Sequence, residues 1–376
     1  MFTVLSEIEK LRNGEPYILD TNNSNRYRVV VSEQNGTKTA YCFSSPILDS
    51  NRQFVKLKFT QNDNKSEFIG SNCKVTLEQD KLQFVNGDGK CNLSLPEHIL
   101  TVTDRCAYCS KAKIFPTVNG LVFKVKCDRF YGYNIALSMG GAPYGVRANN
   151  KSVSIMTTHF KPFITLSGIG AFDSNGLVVA PCNIEFRQKS DAEFFINVST
   201  SVENSSYVMF EVNCHEPKLF LDTTVESRQP KDNNAFGGTA FIGNTDMFGE
   251  QWLYSRPELS LIYELFGESI NSVVMNIPNL NNCKSVLSAY GILKRFCSFG
   301  SNWENKVPST SKLGSVTKLG DYHRIDITDI LTDKYANRLT LTEGLILKPI
   351  IKDGHVAVIS TGDSCYSPQI LEINFG

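Results

Sequence analysis

The sequence predicts an all-β protein of three β-sandwich domains behind one short N-terminal helix. Three observations predict it. Short runs rich in Val, Ile, Phe and Tyr recur along the whole chain. Turn residues separate them at close, fairly even spacing. Helical periodicity is nearly absent after residue 12.

The helix is expected over 3–12, where Val4, Ile8 and Leu11 fall on one face and Asn13-Gly14 stops the turn. Strand-like runs follow at 27–32, 37–42, 54–59, 73–77 and 82–85, with Asn35-Gly36, Asn86-Gly87 and Asp88-Gly89 as turns. They define a first β domain, 1–113. Eight further runs fill 121–212, among them 133–138, 163–168 and 207–212, and Asp173-Ser174-Asn175-Gly176 reads as a hairpin loop. They define a middle sandwich, 114–234, since short strands at even spacing mark sandwiches and barrels. The polar stretch 222–237 reads as a linker or exposed crossover. A third, jelly-roll-like domain spans 235–376 and is expected to fold by itself. Within it Pro257 opens a candidate helix at 257–266, and a shorter helix or turn is expected at 326–333. No strict repeat of 20–50 residues is visible.

Composition narrows the function classes. Of 376 residues, 41% are hydrophobic and 20% charged, which fits a packed globular chain. Lys plus Arg and Asp plus Glu are each 38, so the chain lacks the basic excess that a nucleic-acid backbone demands. Zero net charge weakens colloidal repulsion, which suits a homo-oligomer or filament. No apolar stretch reaches the roughly 18 residues of a membrane span, and no membrane partner is expected. The first 20 residues lack a basic n-region and an apolar h-region, so the expectation is synthesis in the cytosol without a Sec signal, and display at a cell surface, spore or particle by a nonclassical route. Eleven cysteines, an odd count, favour thiols over a disulfide framework.

Few residues suggest chemistry. Cys106-Ala-Tyr-Cys109 is the strongest local motif, because a tight turn can aim both sulfurs at one zinc ion. The remaining ligands would come from Cys91, His98 or Cys127, which sit in separate runs, so the expectation is a connection between the first two domains that binds no metal. Basic neighbours Arg105, Lys111 and Lys113 would make the pair reactive if exposed. The five histidines are scattered, and no nucleophile elbow, phosphate loop or carboxylate dyad stands out. No catalytic residue and no cofactor are expected. Glycan binding would need an aromatic platform, for which Trp252, Tyr254, Trp303 and Tyr366 are candidates. Both tryptophans also lie in blocks that carry the core pattern, which favours packing.

The blocks GEQWLYSRPELSL (249–261), SVVMNIPNL (272–280), SNWENKVP (301–308), HRIDITDIL (323–331), EGLILKP (343–349) and SPQILEINF (367–375) stand in a characteristic order. From about 239 onward the chain resembles the disaggregatase-related jelly-roll module, the DNRLRE family. The resemblance implies a bacterial or archaeal surface or extracellular protein whose module behaves like a carbohydrate-binding β-sandwich. It carries no catalytic residue over. The leading expectation is therefore a noncatalytic structural or adhesive protein with a glycan- or partner-binding jelly roll. The alternatives are a polysaccharide-active enzyme with an accessory module, and an assembly subunit stabilised by metal at the CxxC pair.

Overall fold

The structure, a computed structural model, describes residues 3–33, 35–49, 51–62, 65–127, 132–140, 143–158, 161–202, 205–245, 248–283, 287–350 and 355–376. It is all-β, with 54% of residues in strands and 6% in helix. Among the described residues, three sheets of 13, 9 and 8 strands carry almost all of the pairing.

The chain divides into two compact units, one made of residues 1–48 and 217–376 and the other of 49–216. These limits differ from the sequence boundaries near 113 and 235. The strand Tyr133–Met139 pairs with Gly89–Ser94 across the first expected boundary. The strand Lys38–Phe43 pairs with Ile370–Phe375, and Phe220–Glu226 pairs with Gly249–Pro257, so the second boundary cuts a sheet. Local hydrophobic patterns locate strands, but they carry no information about partners hundreds of residues away.

In the 49–216 unit the two sheets enclose one core. Alternation builds it: Lys74–Glu78 and Lys81–Asn86 bury every second side chain. Phe123 and Phe210 are directly opposed on neighbouring strands and stack at 4.7 Å, 5° apart. The CxxC motif lies inside this unit, not on a connection between domains. Cys106 and Cys109 flank the two-residue strand Ala107–Tyr108 and are both buried.

In the discontinuous unit, Val30, Ala40, Met275 and Ile373 face Leu253, Leu287, Leu345 and Leu347 across the main core. The long strand Ser309–Leu319 pairs with Leu287–Ile292 through its first half and with Tyr322–Asp326 through its second, passing from one layer to the other. The helix Val4–Arg12 lays Val4, Ile8 and Leu11 on Val29, Val31, Tyr41 and Phe43, behind the first layer. Thr3 and Ser6 form its capping box, and Asn13 ends it in the left-handed region at φ 52°.

The expected helix at 257–266 is a 3-10 helix, Leu259–Gly267, and Pro257 belongs to the preceding strand. The helix consists of two short 3-10 turns that meet in a kink at Ile262, φ -132° and ψ 27°, and it buries Leu259, Ile262 and Leu265. The expected linker overlaps the strand Phe220–Glu226, whose Asp222, Thr223, Thr224 and Glu226 are buried. The run 54–59 forms no strand, because Lys58 N–H turns back to Lys56 O at 2.7 Å.

His323, on the strand Tyr322–Asp326, is 0% exposed, and neither ring nitrogen has a hydrogen-bond partner among the described residues. Burial, reinforced by the positive charge of Lys318, holds its pKa down at about 4 from an ordinary 6.5. The folded protein therefore binds fewer protons than the unfolded chain between those values, and stability falls as pH drops through that window. The site should cost roughly 3 kcal/mol between pH 7 and pH 4. Urea midpoints at both pH values should show a His323→Leu variant losing less stability than the natural chain. Equal losses would contradict the assignment.

Candidate functional site

The strand Gly249–Pro257 alternates, with Leu253 entering the main core and Trp252 and Tyr254 projecting from the opposite face. That outer face continues sideways through Val225, Ile346 and Lys348 to Tyr290. The segment 293–308 folds over it and contributes Phe296, Trp303 and Val307. Asn233 fixes this cover, donating through Nδ2 to Ser298 O and Ser301 O, both at 2.7 Å.

Trp252 and Trp303 meet with ring centroids 4.8 Å apart and planes at 54°. Both are half-buried. Trp252 Nε1 donates to Glu250 Oε1 at 2.8 Å, which fixes the indole. Lys348 Nζ lies 4.2 Å from the Trp252 ring centre and 4.8 Å from that of Tyr290, and donates to Ser309 Oγ at 2.9 Å. Lys306 Nζ lies 3.9 Å over Trp303. Burial, with the neighbouring charge of Lys306, pulls the Lys348 pKa below its usual value, while Glu250 opposes the shift.

The four sequence candidates do not come together as one site. Trp252 and Trp303 come together at the surface. Tyr254 lies beneath them, 0% exposed, and its hydroxyl donates to Val307 O at 3.3 Å. Tyr366 is half-buried on the loop between Ala357–Ser360 and Ile370–Phe375, next to Cys365 in sequence. Sequence reasoning missed Glu250, Tyr290, Lys306 and Lys348. Period-two alternation in EGLILKP was the available signal: it places Lys348 on the face of Ile346, opposite Leu347.

These are the types of group that sugar recognition uses. Indole edges and faces take the apolar C–H surface of a pyranose, while ammonium and carboxylate groups bond its hydroxyls. Lys306 is exposed, so leaving Trp303 costs it only about 0.5–1 kcal/mol of cation–π attraction.

Two titratable groups elsewhere, Asp222 and Cys109, are buried. Asp222 is buried, and its Oδ2 accepts the backbone N–H of Gly362. Burial and the adjacent Asp363 hold the Asp222 carboxyl well above the usual range, and burial raises Asp363 too, against the pull of Lys218. A Cβ at Gly362 would lie 2.6 Å from Phe220 Cβ, so only glycine lets the loop approach this closely. The Asp222 carboxyl, enclosed in this way, does not meet a polysaccharide, while Asp363 is half-buried. The Cys109 thiol is pushed up to about 12 by burial and by Glu97, so it is not the reactive surface thiol that its basic neighbours suggest. Among the described residues, no group of three or more His, Cys, Asp or Glu is placed to hold a metal ion. Of the histidines, His159 lies outside the described residues.

Fold and site together define an all-β sandwich protein with an aromatic–lysine patch on one outer sheet face. Neither a protein-family model nor a curated protein sequence matches the chain.

Proposed function

We propose that the protein is a noncatalytic structural or adhesive protein of a bacterial surface or particle, and that its discontinuous unit binds a glycan at Trp252 and Trp303. The observation that carries this reading is the position of the chain's two tryptophans. Both sit half-buried on one outer face, ringed by Lys306, Lys348 and Glu250. Residues of this size and polarity at a surface do more than fill a core. The resemblance of residues 239–376 to the DNRLRE module supports the same reading, and zero net charge supports self-association.

A glycan array probed with the labelled full chain tests the proposal. Binding to a defined set of glycans is expected. Trp303→Ala should weaken it about tenfold or more, the loss of roughly 1.4 kcal/mol or more of ring contact. Its melting temperature should fall only slightly, because the ring is half exposed. Retention of the same glycans at unchanged strength by Trp252→Ala and Trp303→Ala would overturn the site.

A further inference from the structure

A second cluster in the discontinuous unit brings together three segments remote in sequence. Lys218 precedes the strand Phe220–Glu226, Cys365 lies on the loop before Ile370–Phe375, and Ser45 follows Lys38–Phe43. Lys218 Nζ donates to Cys365 Sγ at 3.2 Å and to Ser45 Oγ at 3.0 Å. Ser45 Oγ lies 3.6 Å from the same sulfur and closes a triangle. Ser45 is 0% and Cys365 1% exposed, whereas Lys218 is half-buried, so the cluster lies one layer below the surface.

The backbone holds these atoms in place. Leu219 N–H donates to Ser44 O at 3.1 Å, Ser44 N–H to Gln369 O at 2.9 Å, and Gln369 N–H to Ser44 Oγ at 3.1 Å. Gln369 Nε2 also donates to Ser360 O at 2.7 Å. The Lys218 amine and the Cys365 sulfur therefore face each other without a search. Oxidants attack cysteine sulfur through its thiolate, and the Lys218 ammonium stands where it would pair with that anion.

We infer that Lys218 and Cys365 form a covalent N–O–S bridge on exposure to dioxygen. The thiolate–ammonium pair and one dioxygen give the bridge and one water. The O–O bond breaks, and one oxygen is inserted between sulfur and nitrogen. The other leaves as water with two of the three ammonium protons. Sulfur and nitrogen each give up one electron pair, and dioxygen accepts both. Separation favours the inserted oxygen: it spans most of the present gap, whereas a direct S–N bond would draw the two atoms far closer against a fixed backbone. Dioxygen is small and apolar, and the half-buried Lys218 leaves it only one layer to cross.

The bridge would tie the start of the strand Phe220–Glu226 to the last loop of the chain. By closing a long loop in the unfolded state, it should raise the melting temperature by about 5–10 °C, and reductant should reverse the gain.

Peptide mass spectrometry of the full chain, purified in air without reductant and digested after denaturation, is the test. The expected product joins the Lys218 and Cys365 peptides, with one oxygen more and two hydrogens fewer than their sum. Dithiothreitol should release both peptides. The product should be absent from Lys218→Arg, which keeps the charge, and from Cys365→Ser. The comparison of the natural chain with and without reductant decides the matter even where a variant fails to fold. Only separate peptides after prolonged exposure to air, or a link that lacks the extra oxygen, would overturn the inference.

Discussion

Expressed by itself, the segment 49–216 is expected to fold and to melt in one cooperative transition, whereas 235–376 is expected to show none. The inserted unit owns both of its sheets and a single core running from Phe59 to Cys214. The C-terminal segment does not own its sheet. Without the N-terminal residues, the strand Ile370–Phe375 loses all six register pairs to Lys38–Phe43, and the main core loses Val30, Ala40 and Cys42. Without Phe220–Glu226, the strand Gly249–Pro257 loses seven more register pairs. Unpaired edges of this length promote aggregation. By contrast, joining residues 1–48 to 217–376 through a short flexible linker should give a folded protein. The cut ends lie close together: Tyr27 hydroxyl donates to Pro217 O at 2.7 Å, and Leu219 N–H donates to Ser44 O. Calorimetry of the three chains checks this, and a cooperative transition in 235–376 would contradict the division.

Phe210→Ala should be among the most damaging single substitutions in the inserted unit. The ring is 0% exposed, stacks on Phe123 and lies 6.2 Å from the Tyr133 ring. Its removal forfeits transfer energy and leaves a cavity between two sheets that cannot collapse freely, at a cost of about 3–5 kcal/mol. A domain's whole stability is roughly 5–15 kcal/mol, so the melting temperature should fall by about 10 °C. Phe195→Ala is the control, since that ring is 46% exposed and its loss should change little. Equal effects of the two substitutions would contradict the assigned core.

Much of the fold was legible where burial imposes a period. The helix Val4–Arg12, the strand Glu193–Ser199 and the hairpin closed by Asn86 and Gly89 follow from local residues alone. Two kinds of strand escaped. Ile18–Asn25 is a sheet edge, largely exposed on both faces, and so shows no alternation. Phe220–Glu226 buries polar side chains that local composition assigns to a loop; Glu226, for example, accepts from Asn234 Nδ2 at 3.0 Å and Gln251 Nε2 at 2.7 Å. The candidate patch was half legible. Its tryptophans stand out as residues, but Lys348 and Tyr290 reach them only through strand pairing.

Because both tryptophans of the chain lie in the patch, intrinsic tryptophan fluorescence reports on this site alone. Titration of the natural chain with an array-selected glycan should therefore shift the emission saturably as ring contacts replace water. The Trp303→Ala variant should lose the affinity while keeping its fold. A glycan bound with unchanged emission, and with the same affinity in that variant, would place binding elsewhere and contradict the role given to Trp252 and Trp303.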